Sequence, residues 1–263
     1  MMASALGVRR EDAIKKIVLE AYQDPDIVSR YIHVGLWPAE EILVLEFMAD
    51  EATVLDLGCG AGRTTIPMAE MGLKVVGVDL SETMVAAARE QAIDAGVEVE
   101  FCVMDAMTLD FPEAHFDAAL FSYNGVELIP GRSGKRRVFE QIHRVLKPRG
   151  RFIFCSHSPF AFNRFALMRV KAFLRFLAGR VLGVPVRERE FGERFVDDEW
   201  EEARYLQVLP PSVLIQLLRE SGFELVYFNT RGRIESARKW AWRGHFEDGE
   251  RFYVAEKSVE TGS

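Results

Sequence analysis

Short apolar segments alternate with helical patterns between Thr53 and Phe154, and this alternation limits the fold class more than any other feature of the chain. The helical patterns are predicted at 64–71, 82–95 and 136–146. Continuous apolar segments of this kind are typical of strands that helices cover on both faces, as in parallel sheets built from βαβ units. The predicted strands are 53–57, 74–78, 99–103, 117–122 and 151–156.

A later helix at 210–221 and strands at 223–228 and 251–257 complete the pattern. Together with the earlier elements they predict an α/β fold with a doubly wound, seven-stranded, mostly parallel sheet. We expect the segment 147–150 (KPRG) to end the preceding helix and to turn the chain into the fifth strand.

Two stretches do not follow the alternation, one before the first strand and one after the fifth. We expect residues 1–50 to form an N-terminal helical lid. The main domain is then predicted at 51–263, with a helical cap inserted at about 157–208.

Composition excludes several classes of protein. The chain has 263 residues, with 33 Lys and Arg against 40 Asp and Glu, so its formal net charge is −7, and an acidic chain is a poor general binder of nucleic acid. The cysteines Cys59, Cys102 and Cys155 lie far apart, which excludes a zinc ribbon and a disulfide scaffold, and no metal site is predicted. A secretory pattern and a membrane-spanning apolar run are both absent from the sequence, so we expect a cytoplasmic protein.

The most informative segment is a glycine-rich loop after the first strand, in which Gly58, Gly60 and Gly62 alternate with other residues and run directly into a helix. Glycines allow positive φ and the close approach of a ligand, and a helix N-terminus presents unpaired N–H groups. Asp79 ends the second strand 17 residues after Gly62, where a carboxylate can accept hydrogen bonds from both hydroxyls of a ribose. A tight turn that holds no ligand is the alternative interpretation.

The spacing of the glycines argues against a dinucleotide. G-x-G-x-G differs from the G-x-G-x-x-G of dinucleotide-binding folds, and Asp56, two residues before Gly58, would repel a pyrophosphate. A carboxylate there favours a ligand with an ammonium group. Adenine, ribose and an amino-acid tail in one ligand describe S-adenosylmethionine, whereas a dehydrogenase cofactor is disfavoured.

Five successive segments resemble the motifs of class I S-adenosylmethionine-dependent methyltransferases of the small-molecule type. They cover about residues 50–157 and read VLDLGCGAGRTT, VVGVDLSETMV, VEFCVMDAMTLDF, FDAALFSYNGVELI and RVLKPRGRFIF. PPSVLIQLLRESGFELV and RFYVAEK are similar to the closing elements of that Rossmann-like fold. One departure is Arg149, where the family commonly has glycine.

The resemblance implies that S-adenosylmethionine is the cofactor and assigns roles along these motifs. Gly58, Gly60 and their neighbour Cys59 are expected beside the methionine portion, and Asp56 is expected to help place its ammonium group. Asp79 is expected to hold the ribose.

The later motifs imply the rest of the cofactor site. Leu80 is expected to flank the adenine, and Asp105 resembles the acid that meets the adenine amino group. Asp105 could also serve only to cap a turn. The remaining expected cofactor contacts are Ala106 and Met107 near the adenine, and Ser122 and Tyr123 near the sulfonium.

An acceptor is expected at the carboxyl edge of the sheet, where open parallel sheets bind ligands. Tyr31 and Trp37 of the lid, and Asn124 and Glu127 after the fourth strand, are the predicted substrate-binding residues. His157 follows the fifth strand and is the predicted catalytic residue, because an imidazole there can accept a proton from the acceptor. The alternatives are that the aromatic side chains only pack the lid and that His157 only bonds to a loop.

Residues 160–187 carry six basic side chains and no acidic one, interleaved with phenylalanines. Such a pattern also fits contact with a membrane surface or a nucleic acid. On a helical projection the bases fall on two sides about 150° apart, which favours a cap helix exposed on two sides over a helix lying flat on a bilayer. The two groups are Arg164, Lys171 and Arg175 on one side, and Arg169 and Arg180 on the other.

The sequence therefore favours an enzyme that transfers a methyl group from S-adenosylmethionine to a small-molecule partner, with no nucleic-acid partner. One alternative is a regulatory protein that binds S-adenosylmethionine without turnover. Another is a methyltransferase of a lipid or a macromolecule. The sequence predicts neither the acceptor atom nor the oligomeric state.

Overall fold

The computed structural model describes residues 9–123, 125–196, 204–236 and 249–259. Within these residues the strands are β1 (Thr53–Leu57), β2 (Lys74–Asp79), β3 (Glu100–Val103), β4 (Phe116–Phe121), β5 (Leu146–His157), β6 (Glu193–Phe195), β7 (Tyr205–Gln207), β8 (Phe223–Thr230) and β9 (Glu250–Lys257). The helices are α1 (Arg10–Tyr22), α2 (Pro25–Ile32), α3 (Pro38–Phe47), α4 (Thr65–Glu70), α5 (Glu82–Ala95), α6 (Gly125–Leu128), α7 (Gly131–Val145), α8 (Ala166–Leu182), α9 (Pro211–Glu220) and α10 (Arg231–Ser236).

Seven strands form one sheet in the order β3-β2-β1-β4-β5-β9-β8. Neighbours from β3 to β5 pair in parallel, whereas β9 pairs antiparallel with both β5 and β8. The strand order changes direction between β1 and β4, and the carboxyl ends of these strands form the switch point at which open α/β sheets bind ligands. The prediction of a doubly wound, seven-stranded, mostly parallel sheet is confirmed.

Helices cover both faces of the sheet because successive strand residues point to opposite sides. Leu55 of β1 belongs to one buried apolar cluster with Phe139 of α7 and Leu217 of α9. Its neighbour Val54 belongs to another with Leu43 of α3 and Met68 of α4. Burial on both faces explains why the central strands are continuous apolar segments in the sequence.

Helix α7 begins at Gly131, five residues before the predicted start at 136. Its first turn contains Gly131 and Gly134, and glycine has a low helix propensity, so the sequence does not indicate a helix there. Contacts from distant segments stabilise the turn instead. The backbone N–H of Gly131 donates to Tyr205 Oη at 3.2 Å, and that of Arg132 donates to Glu190 Oε2 at 2.9 Å.

The segment 147–150 is predicted as a turn before the fifth strand, but it lies inside β5, which begins at Leu146. The pairing of β4 with β5 shifts register between Phe116 and Ala118, so this segment forms an irregular first part of the strand. The prediction was wrong on the strand boundary because proline and glycine also occur at bulges on strands.

The predicted cap insertion at about 157–208 contains α8 and the antiparallel hairpin β6–β7, which the sequence pattern did not resolve. The hairpin contacts the N-terminal helix, since Arg10 Nη2 of α1 lies 2.7 Å from Glu193 Oε2 of β6. The division into lid, main domain and cap stays a prediction. Among the described residues, no helix combines the length and apolar character needed to cross a bilayer, and α8 is no exception.

Replacing Arg149 by glycine is expected to stabilise the fold. Arg149 has a φ of 64°, in the left-handed region, which costs an L-residue roughly 1–2 kcal/mol and glycine little. Glycine also gives the unfolded chain more conformational entropy, which offsets part of this gain. The net effect of Arg149→Gly should be a free energy of unfolding higher by about 1 kcal/mol, measured in a urea titration. Arg149→Ala is the control, because it removes the charge but keeps a Cβ. A similar gain in both variants would contradict the backbone explanation.

Candidate active site

The loop after β1 presents its backbone to a cavity at the edge of the sheet. Gly58 and Gly60 line this cavity and have φ values of 60° and 54°, a conformation that favours glycine. The N–H of Cys59 donates to the carbonyl of Val78 in β2 at 3.1 Å, and the Cys59 side chain is buried in a cluster with Phe101. The side chain of Cys59 therefore belongs to the core, and the loop offers the cavity mainly backbone.

Asp79, the last residue of β2, ties the glycine loop to the turn that follows β2. Its Oδ2 accepts a hydrogen bond from the Gly60 N–H at 2.9 Å, and its Oδ1 accepts one from the Ser81 N–H at 2.8 Å. Burial raises the pKa of this carboxyl, and the two backbone bonds only partly oppose the rise. Asp79 and Leu80 both line the cavity, so the predicted ribose position is part of its wall.

Asp105 makes a turn and also lines the cavity. Its Oδ1 accepts a hydrogen bond from the Met107 N–H at 2.8 Å, and its Oδ2 lies 2.5 Å from Lys15 Nζ of α1. Ala106 lines the cavity beside it, whereas Met107 is buried in the apolar core. The bond from Met107 fits the interpretation of Asp105 as a residue that caps a turn, and its contact with an adenine amino group stays a prediction.

Asp56 lies behind the glycine loop, almost fully buried. Its Oδ2 accepts hydrogen bonds from Thr64 Oγ1 at 2.6 Å and Thr65 Oγ1 at 2.5 Å at the start of α4. Burial raises the pKa of this carboxyl to about 6, although the two hydroxyls oppose the rise. Its predicted contact with an ammonium group stays a prediction, and the contacts in the structure are with α4.

The cavity lies at the carboxyl ends of β1, β2 and β4. The nine predicted site residues that line it are Gly58, Gly60, Asp79, Leu80, Asp105, Ala106, Ser122, Tyr123 and Tyr31. The predicted residues outside its lining are Asp56, Cys59, Met107, Trp37, Glu127 and His157. The predicted substrate residue Asn124 lies outside the described residues.

Helix α1 supplies a wall of the cavity that sequence reasoning missed. Lys15, Val18, Leu19 and Tyr22 all line it. Their spacing of i, i+3, i+4 and i+7 is that of one face of a helix, so a helical projection of α1 could have grouped them. The sequence does not show that this face turns toward the sheet edge.

Aromatic side chains close the cavity on the lid side. Tyr31 of α2 packs edge-to-face on Tyr123, with ring centroids 5.3 Å apart, and the Tyr22 and Tyr31 hydroxyl oxygens lie 3.2 Å apart. Trp37 packs on Tyr123 from outside the cavity, with centroids 5.1 Å apart. Tyr123 has a φ of 55°, an uncommon conformation for a bulky residue that surrounding contacts must hold in place.

A buried ion pair joins the lid to the glycine loop. Arg63 donates from Nη1 to Glu40 Oε2 at 2.8 Å and from Nη2 to Glu40 Oε1 at 2.6 Å. Burial alone would lower the pKa of Arg63, but the bonds to Glu40 reverse this and raise it. The Ser122 hydroxyl also donates to Glu40, and the Arg63 guanidinium lies 5.2 Å from the Tyr123 ring centroid. Glu40 and Arg63 were not singled out from the sequence.

Glu127 and His157 form a second buried arrangement beside the cavity. His157 Nδ1 lies 3.0 Å from Glu127 Oε2, and His157 Nε2 lies 3.6 Å from Glu250 Oε1 of β9. Ser156 Oγ donates to Glu127 Oε1 at 2.8 Å. Burial would raise the pKa of Glu127, but His157 and these hydrogen bonds lower it.

Residues 54–150 match a family described as a methyltransferase domain. A demethylmenaquinone methyltransferase of Thermus thermophilus is 32% identical over 135 residues, which cover 49% of this chain and 60% of that protein. A solved S-adenosylmethionine-dependent methyltransferase of Methanosarcina mazei is 22% identical with a TM-score of 0.65, covering 86% of this chain and 100% of that chain. The 1,6-didemethyltoxoflavin-N1-methyltransferase of Burkholderia thailandensis, solved with S-adenosylhomocysteine, is 21% identical with a TM-score of 0.62, covering 96% and 92%.

The chain spans about half the length of the first curated relatives it matches. The two solved structures share so few identical residues with it that they show the fold alone. The matched residues 54–150 run from β1 into β5 and include the glycine loop, Asp79 and Asp105. The similarity is therefore concentrated in the segment that forms most of the cavity wall.

Asp56→Asn is expected to change the pH dependence of stability. Because the folded pKa of Asp56 is raised to about 6 from an ordinary value near 3.8, its charged form disfavours folding. This penalty is absent below about pH 4 and complete above about pH 6. Relative to the wild type, the variant should therefore gain up to roughly 3 kcal/mol of unfolding free energy between pH 4 and pH 7.5.

Urea titrations at these two pH values measure this gain. The Asn side-chain oxygen can still accept from both threonine hydroxyls. Asp94→Asn, at an exposed position on α5, controls for the loss of one negative charge from the chain. If Asp56→Asn changes the free energy of unfolding by the same amount at both pH values, the ionised form of Asp56 does not destabilise the folded protein.

Proposed function

We propose that this chain is a class I S-adenosylmethionine-dependent methyltransferase that transfers the methyl group of S-adenosylmethionine to a small-molecule acceptor, because residues 54–150 match a methyltransferase-domain family. The observation that carries the proposal is the single cavity that joins the glycine loop, Asp79 and Asp105 under the α1 and α2 lid. The alignment with the Thermus thermophilus demethylmenaquinone methyltransferase supports the same reaction class.

The cavity fits the chemistry of this cofactor. Asp79 can accept hydrogen bonds from ribose hydroxyls, and Asp105 can accept one from an adenine amino group. Gly58 lines the cavity, and a Cβ at this position would lie 3.0 Å from the Phe121 ring. Apolar side chains, such as those of Leu80 and Ala106, can cover the adenine.

The bound sulfonium supplies an electrophilic methyl group. The chain itself contributes alignment of the two reactants and exclusion of water, which are the main sources of acceleration for such a displacement. Val18 and Leu19 of α1 provide apolar cover on the lid side. The hydroxyls of Tyr22 and Tyr31 are polar groups on that side that an acceptor can meet.

A largely apolar cavity favours an acceptor with an aromatic or aliphatic body. Phe121, Leu128 and Ile129 line it together with the lid residues. This lining supports the small-molecule partner predicted from the sequence. The alternatives are a protein that binds S-adenosylmethionine without turnover and a methyltransferase of a lipid or macromolecule.

Asp79→Ala is expected to weaken the binding of S-adenosylmethionine, measured by calorimetry. Loss of a charge-assisted acceptor for two hydroxyls corresponds to roughly 1.5–3 kcal/mol, or about 10-fold to 150-fold in Kd. Asp94→Ala, on the exposed surface of α5, is the matched control and should bind like the wild type. If Asp79→Ala and the wild type bind S-adenosylmethionine equally well, Asp79 is not part of the site. If the protein binds NAD(H) in preference to S-adenosylmethionine, the cofactor assignment is wrong.

Turnover is tested with methyl-labelled S-adenosylmethionine and a metabolite extract, followed by identification of the labelled product. A labelled small molecule supports the proposal. Tight binding of S-adenosylmethionine with no labelled product would favour a regulatory protein that binds it without turnover. Label in lipid or protein would favour a methyltransferase of a lipid or macromolecule.

The role of His157 as a proton acceptor stays a prediction. In favour of it, the ring lies at the carboxyl end of β5. Its contacts with Glu127 and Glu250 suit a structural role equally well. If the imidazole accepts the proton in the rate-limiting step, His157→Ala should leave the affinity for S-adenosylmethionine unchanged and lower kcat by about 10²-fold. Unchanged kcat with the true acceptor would assign His157 to the structural role.

A further inference from the structure

Helix α8 turns an apolar stripe toward solvent. The stripe residues repeat at alternating intervals of three and four, which places them on one face of the helix. Leu167, Leu174 and Val181 expose 64%, 56% and 68% of their surface. The complete stripe is Leu167, Val170, Leu174, Leu177 and Val181. A row of large apolar side chains in water is unfavourable, and contiguous patches of this kind mark interaction surfaces.

The opposite face of α8 packs on the rest of the protein, so the helix already has a buried face and the stripe is its solvent-facing side. Ala172 is the buried residue of that face. Phe176 lies with its ring centroid 6.5 Å from that of Phe191, and Arg175 Nη2 lies 2.7 Å from the buried Glu188 Oε1. The orientation of α8 is therefore fixed by contacts that leave the stripe exposed.

The apolar surface continues beyond both ends of the helix. Phe162, in the segment before α8, is 88% exposed, and Phe160 is also exposed. Leu182 and Val184 extend the surface at the other end. Seventeen helical residues span about 25 Å, so the surface is long enough for an extended contact.

Basic side chains flank the stripe on both sides. Lys171 lies on one flank and Arg180 on the other, and both are exposed. The whole segment 160–187 contains no acidic residue, although the chain carries a net charge of −7. Within α8 the helical projection separates Lys171 and Arg175 from Arg169 and Arg180, whereas Arg164 lies before the helix begins. The projection fails to anticipate that the surface between the two pairs is apolar and exposed.

We propose that the α8 surface, formed by residues 160–184, docks this protein on an anionic lipid membrane. An outward apolar face with basic flanks is the arrangement of helices that lie in the membrane interface, with the apolar side chains among the acyl chains and the bases at the phosphates. A second copy of the chain is disfavoured as the occupant, because pairing two α8 stripes would bring two sets of bases together. The proposal does not rest on the methyl-transfer activity, since none of the stripe residues lines the cavity.

Docking through α8 would bring the lid close to the lipid. The β6 strand contacts α8, and Glu193 of β6 binds Arg10 of α1. Arg10 Nη2 also donates to the carbonyl of Arg187, just beyond α8, at 3.0 Å. The same segment that faces the membrane is thus tied to the helix that covers the cavity.

Vesicle flotation of the full chain tests the proposal. The wild type should float with vesicles of phosphatidylcholine and phosphatidylglycerol, and much less with pure phosphatidylcholine or at high salt. Leu174→Glu combined with Val181→Glu should lower the partition coefficient at least tenfold. Lys171→Glu combined with Arg180→Glu should remove the preference for anionic lipid. Ile93→Glu, which replaces an exposed apolar residue on α5, is the control for adding a glutamate elsewhere on the surface and should float like the wild type.

Thermal unfolding and calorimetric titration with S-adenosylmethionine check that each variant is folded, and keep failure of this proposal distinct from failure of the proposed function. Absence of flotation in the folded wild type would overturn the proposal, as would flotation that the α8 variants leave unchanged. A dimer in the wild type that the Leu174→Glu, Val181→Glu variant abolishes, without flotation, would assign the surface to a second copy instead.

Discussion

The buried ion pair between Arg63 and Glu40 connects the parts of this molecule that form its cavity. Glu40 belongs to lid helix α3, Arg63 to the glycine loop, and the Ser122 hydroxyl at the end of β4 donates to the same carboxylate. Removing one partner of such a pair leaves an uncompensated buried charge, which costs about 3–5 kcal/mol. The pair therefore makes the positions of lid, loop and strand end depend on one another. Arg63 also lies against the rings of Trp37 and Tyr123, which extends this dependence to the aromatic wall.

The parts of the fold that were predicted are those specified by local pattern. Helix α5 has the predicted bounds because Ser81 caps it and Gly96 ends it in the left-handed conformation, both visible in the sequence. The start of α7 was missed because Tyr205 and Glu190, distant in the chain, satisfy the backbone of its glycine-containing first turn. The outward direction of the α8 stripe was missed for the same reason. A projection shows which residues share a face, but not which face the protein covers.

The candidate site also contains residues that a local motif predicts and residues whose position depends on tertiary packing. The motif residues that line the cavity lie in loops at the carboxyl ends of parallel strands, so the fold itself brings Gly58, Asp79 and Asp105 together. Neighbours in the same motifs, such as Cys59 and Met107, face the core, and the sequence pattern does not separate them from the residues that face the cavity. Lys15 could not be placed from its sequence, since its position depends on how α1 packs across the sheet edge.

The contact between Lys15 and Asp105 ties α1 to the wall of the cavity. Asp105 Oδ2 lies 2.5 Å from Lys15 Nζ, so any ligand that takes this oxygen alters the free energy that holds α1 over the cavity. By thermodynamic linkage, a ligand that weakens this contact by a given factor is itself bound more weakly by that factor when the contact is formed. The carboxylate and the ammonium are both partly exposed, so ionic strength screens their attraction. The packing of α1 over the cavity and the occupation of this oxygen are therefore coupled, and salt weakens the Lys15–Asp105 contribution to that coupling.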